Sequence, residues 1–216
     1  MTQRLLILWF GGLLTVALIA CAPMRWFLPG GPLSVRKVSG TIWSARLEGA
    51  SVQGMPLGDL NAGLVWPGRL KFSDGTRISG SIGTGGGYSV RDLTGILSLS
   101  SAHPAAQDVE FRAFSLDFGP EGCRSAGGRI RLRLAPSISG IAMGQTLVGA
   151  PRCKGHALVT RLASQSGLEV MTLSAKPDGK TVTELLIRPG ERDAGPPLLA
   201  AGFTQTPLGY RMVLVD

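Results

Sequence analysis

VSGTIWSARLEGASVQGMPLGDLNAGL, residues 38–64, sets apolar side chains at short spacings and interrupts them with Gly40, Gly49, Gly54, Gly58 and Gly63. Alternation near period two is the signature of a strand with one buried face, whereas a helix needs a sustained apolar stripe of period 3.6. The stretch therefore reads as the first strands of a sheet, with Ile42, Leu47 and Leu60 on the buried face. Gly40 and Gly49 relieve close approaches of backbone, and Gly58 lies inside a strand. Trp43, of opposite parity to Ile42, is expected at a strand end or beside a membrane. No pair of residues in the stretch suggests catalysis.

Outward from there the pattern repeats. Candidate strands run over 38–43, 45–52, 57–65, 76–82, 93–100, 108–118, 128–134, 155–162, 167–174, 180–187 and 209–215. Their spacing of roughly ten residues suits an antiparallel meander better than βαβ units, which need helical crossovers. Pro177-Asp178-Gly179 supplies a hairpin turn, because proline presets one dihedral and glycine accepts a positive one. With 31 glycines, 14 prolines and only 17% charged residues, the 216-residue chain is poor material for long helices. The expected fold is all-β: an antiparallel, curved, meander-type sheet of about ten short strands, in one exported domain after a single N-terminal transmembrane helix. A turn of helix near Ala105 is the sole other helical expectation.

The N-terminus sets the compartment. Leu5 through Met24 carries no charge, and such a run of about 20 residues spans a hydrocarbon core of roughly 30 Å. Three readings compete, and each exports the rest of the chain. An uncleaved anchor is favoured by the length of the run and by Trp9, Trp26 and Phe27, aromatics suited to an interface. A lipoprotein signal rests on Leu18-Ile19-Ala20-Cys21, which resembles a lipobox with Cys21 as the lipidated residue. Ordinary cleavage rests on the small residues of Ala20-Cys21-Ala22.

Export permits a disulfide between Cys123 and Cys153, with Cys21 left over; two unrelated free thiols are the alternative. The net charge of +8 is scattered, and its densest cluster, Arg129, Arg131 and Arg133, alternates with Ile130, Leu132 and Leu134. That is the pattern of a solvated strand face. Nucleic acid is excluded as a partner because no basic patch is interleaved with stacking aromatics; an anionic lipid surface suits a tethered basic protein better.

Motifs of catalysis are missing. No G-x-S-x-G occurs, GSIGTGGG at residues 80–87 lacks the Gly-Lys-Ser/Thr of a phosphate loop, and Gly179-Lys180-Thr181 belongs to a turn. His103 and His156 lie in unlike loops without a carboxylate close in sequence, and neither C-x-x-C nor a zinc spacing is present. Asp108, Glu110 and Asp117 have nothing that singles them out as an acid–base pair. The chain is expected to be no enzyme and to hold no cofactor or metal.

Gly40-Thr41-Ile42-Trp43 just after the apolar run, then Gly54-Met55-Pro56-Leu57-Gly58-Asp59-Leu60 leading to Trp66, then the pair Cys123 and Cys153, together resemble the type II secretion system protein N family. Ala45 departs from that pattern, which tends to have glycine there, and Cys21 departs from simple anchoring. The resemblance implies a cytoplasmic tail (1–4), a transmembrane anchor (5–24), a linker (25–37) and a periplasmic β-rich domain (38–216). It implies an accessory subunit that binds other secretion subunits, those of the inner-membrane platform and, as a further candidate, the secretin, with lipid met through the anchor. The other classes are a periplasmic lipid-handling sheet and an outer-membrane lipoprotein modified at Cys21. An apolar trough along the sheet would favour the lipid-handling class, and a sheet filled by its own side chains would favour the subunit.

Overall fold

The computed structural model describes residues 10–11, 13–15, 17–26, 33–52, 55–65, 68–83, 87–99, 106–135, 137–138, 141–142, 146–176, 180–188 and 195–215. The chain divides into two compact units, Met1–Thr76 and Arg77–Asp216.

The first unit is built on β1 (Leu33–Ser34), β2 (Lys37–Thr41), β3 (Ser44–Val52), β4 (Met55–Val65) and β5 (Arg69–Ser73). β3 pairs with β4 on one side and with β1 and β2 in succession on the other, all antiparallel, and β5 follows β4. The register sets Leu47 against Leu60, and Ala45 against Ala62 against Phe72. These five side chains are buried, so the alternation of the sequence does turn one face inward. At Gly49 the register between β3 and β4 shifts, a bulge that its positive φ of 62° accommodates.

The second unit holds β6 (Ile78–Gly83), β7 (Tyr88–Ser98), β8 (Ala106–Gly119), β9 (Gly122–Leu134), β10 (Ser137–Ile138), β11 (Ile141–Ala142), β12 (Thr146–Lys154), β13 (Ala157–Ala163), β14 (Glu169–Ala175), β15 (Thr181–Ile187), β16 (Thr204–Thr206) and β17 (Gly209–Val215). Its sheet runs β6-β7-β8-β9-β12-β13-β14-β15-β17-β16, every described pair antiparallel, while β10 and β11 form a separate ladder. Asp92 and Ala113, non-glycine residues at φ 53° and 49°, mark bulges where β7 and β8 slip register. Thr94 Oγ1 accepts from Ala113 N–H and Ser115 Oγ from Asp92 N–H, so side chains fill the bonds the ladder drops. One face buries Leu132, Leu134, Leu147, Leu162, Met171, Leu185 and Ile187, with Leu198 and Phe203 closing over them.

The antiparallel meander is as expected, but about ten strands is too few: the described residues hold five in the first unit and a ten-strand sheet plus a two-strand ladder in the second. β12 was hidden by Gly149 and Pro151, residues that argue against a strand interior. The structure tolerates Pro151 because the described β12–β9 pairing ends at Gly149, leaving no donor required of it on that side. β5, β1 and β16 are too short to show a period. A helix the sequence reading omitted, α1 (Gly195–Ala200), begins GPPLLA, where prolines in a first turn cost no intrahelical bond. Leu198 of α1 is buried in the core. The turn near Ala105 lies outside the described residues, and Ala106 already belongs to β8. Among the described residues no helix is long and apolar enough to cross a membrane; residues 10–11, 13–15 and 17–20 are helical, and 1–9, 12 and 16 are outside the description.

Candidate functional site

In the first unit the motif residues make one knot of backbone. Gly40, at φ 96° near the end of β2, lies so close to the returning strand that an added Cβ would stand 2.3 Å from Ser44 O; only glycine fits. Thr41 bridges Pro23, and the buried Ile42 donates its N–H to Ala22 O at 2.9 Å while its carbonyl accepts from Leu64 N–H at 2.7 Å. Gly63 brings β4 against the carbonyl of Trp43, where a Cβ would be 2.4 Å away. Trp43 itself is half exposed in the turn. Gly40-Thr41-Ile42-Trp43 therefore ties β2, β4 and the C-terminal end of the apolar run, with Ala22 and Met24 buried in the same unit. Leu57 is half-buried, Gly58 exposed at φ 84°, and Leu60 buried, all on β4; Gly54 and Trp66 lie outside the described residues. Cys21 is an exposed free thiol whose N–H bonds Ala17 O.

On the polar face of this unit Asp59 accepts from Gly49 N–H at 3.0 Å and lies 3.5 Å from the Arg46 guanidinium. The Gly49 bond, then Arg46 and the charge of Arg36, outweigh desolvation and hold its carboxyl below the usual 3.8.

In the second unit Cys123 and Cys153 are joined, Cα to Cα 5.4 Å. The bridge fastens the start of β9 to the end of β12. Cys123 N–H also bonds His156 O at 2.9 Å, and His156 Nδ1 lies 2.7 Å from Glu121 O, so the turn after β12 is fixed on three counts. Gly122 passes under the His156 carbonyl, where a Cβ would be 2.2 Å away. His156 thus has a structural bond; His103 is outside the description.

Charge is ordered on the face opposite the core. Arg133 pairs with Asp108 at 3.3 Å, Arg131 with Glu110 at 3.4 Å, Arg112 with the same Glu110, and Arg211 with Glu184 at 2.7 Å. Asp108 and Glu110 are therefore counter-ions. Between these pairs, on β12 and β13, Arg152, Lys154 and Arg161 rim a concavity of about 460 Å³ floored by Ala150 and Val159. Among the described residues none of the three has an ion-pair partner. The sequence reading missed this group, because the three cations are spaced over ten residues and only the pairing of Ala150 with Arg161 and Arg152 with Val159 brings them together. Among the described residues no cluster of His, Cys, Asp or Glu could hold a metal.

The family described as Type II secretion system (T2SS), protein N, matches residues 31–202, which include both the Gly40–Trp43 knot and the disulfide. No curated protein and no solved structure matches the chain.

Proposed function

The chain belongs to the type II secretion system protein N family, and we propose that within that machinery it is a non-enzymatic accessory subunit. In this proposal residues 5–24 anchor it in the inner membrane, and the β-rich remainder works in the periplasm through protein–protein contacts. The observation that carries the structural role over lipid handling is the filling of the second unit's inner face. Leu134, Leu147, Leu162 and Leu198 are each at most 1% exposed, so at that part of the sheet its own side chains occupy the space an acyl chain would need. The Ile42–Ala22 bond supports the anchor, since it would hold the first unit directly against the membrane end of the apolar run.

The test is deletion of the gene with complementation by the full chain. Type II substrates should accumulate in the periplasm of the deletion strain and be exported again on complementation, with delivery to the periplasm unchanged. Normal export from the deletion strain overturns the proposal. Fatty-acid labelling that requires Cys21 would replace the anchor by a lipid at that residue.

A further inference from the structure

We propose that the concavity between β12 and β13 is a binding site for a phosphate ester, held by Arg152, Arg161 and Lys154. The inference is independent of the secretion reading, since it concerns only the second unit's polar face. On that face Arg133, Arg131 and Arg211 are paired with acids on the adjacent strand, Asp108, Glu110 and Glu184. At the concavity the pattern breaks. Ala150 stands opposite Arg161 and Val159 opposite Arg152, and the next strand offers Thr172 opposite Arg161 and Ser174 opposite Val159. Three exposed cations thus gather at cross-strand and diagonal spacing with no carboxylate among these neighbours.

The neighbours suit an anion of particular shape. Two guanidinium groups present planar forks that match phosphate oxygens, and Lys154 adds a mobile point charge. Thr172 and Ser174, half-buried on β14, place hydroxyls on the same face, and neither side chain has a hydrogen-bond partner among the described residues. The short side chains of Ala150 and Val159 make the recess, and about 460 Å³ accommodates a phosphate with its first organic substituent. A phosphate ester is favoured over an acidic peptide because the cations converge on one recess between β12 and β13, which pair with each other from Val148–Ala163 to Lys154–Ala157, and β13 is paired with β14 on its other side and so offers no edge for a peptide to extend. The disulfide at Cys153, beside the rim, keeps the end of β12 in place when the ligand is absent.

The test uses the full chain in neutral detergent micelles at low salt, titrated calorimetrically with soluble glycerol 3-phosphate and, separately, with phosphatidylglycerol or phosphatidylcholine. Binding of glycerol 3-phosphate and phosphatidylglycerol assigns recognition to the phosphate group itself; binding of phosphatidylglycerol alone assigns it to a lipid headgroup. In either case Arg152→Gln with Arg161→Gln should weaken binding roughly tenfold or more, the loss expected for two charge-assisted contacts. Lys71→Gln with Lys176→Gln removes the same charge from other exposed positions and should change it less than about twofold. The four replaced side chains are exposed, so both variants should melt as the parent does. Equal weakening in the two variants, binding of phosphatidylcholine as tight as phosphatidylglycerol, or binding of neither phosphate ligand, whether or not polyglutamate titrated in the same way binds, each overturns the proposal. The export assay above is read separately, so either reading can fail alone.

Discussion

Two hairpin turns, one in each unit, are fastened to their surroundings by different means. The turn between β2 and β3 is held by backbone alone: Ile42 bonds Ala22 and Leu64, and Gly40 and Gly63 let strands approach where a Cβ would collide. The turn between β12 and β13 has a similar set, His156 with Cys123 and Glu121 and Gly122 beneath it, but adds a covalent bridge. Sequence distance barely separates the two: residues 22, 42 and 64 follow one another at spacings of about 20 residues, and Cys123 and Cys153 are separated by 30. Loops of these lengths differ in closure entropy by only about 0.3 kcal/mol. What distinguishes the second turn is the crosslink itself, which removes closure entropy from the unfolded state.

The sharpest way to break this contrast is to remove the bridge. Cys123→Ser with Cys153→Ser should lower unfolding free energy by about 3 to 4 kcal/mol on the chain-entropy account, read from urea melts. A loss under about 1 kcal/mol would mean that the second turn, like the first, is held by its non-covalent contacts. Next is Gly40→Ala, which combines a positive φ with the 2.3 Å approach to Ser44 O and should cost about 2 to 3 kcal/mol. Gly58→Ala is the matched control: its φ is 84° but no atom lies within 4 Å, so only the left-handed strain of about 1 kcal/mol applies. Equal melting of the two variants would show that close approach contributes nothing to the knot.

The smallest effect concerns Asp59. Its folded pKa is depressed, so the stability it contributes is complete above the unfolded value near 3.8 and is lost as pH falls through the lower folded value. The carboxylate is exposed and its pairing screened, so the change should be visible by carboxyl NMR titration and faint in melting curves. The Asp59 resonance should titrate below 3.8, and Arg46→Gln should move it part of the way back. A midpoint at or above 3.8 in the parent would remove the Gly49 and Arg46 contacts from the account.

Much of the sheet was legible because alternation survives in local sequence. Leu47, Leu60, Leu132 and Leu162 each stand where period two places an inward side chain, and all are buried. β12 was illegible for the opposite reason, since Pro151 can sit in it only where the ladder to β9 lapses, a fact of tertiary pairing. α1 was missed because six residues carry less than two turns of period, and its place is set by Leu198 reaching the core. The basic concavity could not be seen either, because Arg152 and Arg161 are neighbours across a hairpin and not along the chain.

By itself the sequence determined the antiparallel β class, the absence of recognised catalytic motifs and the likeness to a secretion-subunit family, because these rest on local period and short motifs. Which strands neighbour which, where Ala22 is bound, and which arginines are left without acids were decided only by the tertiary structure. Those properties depend on register, and register arises when distant strands bury a common face and so bring their outer side chains into line.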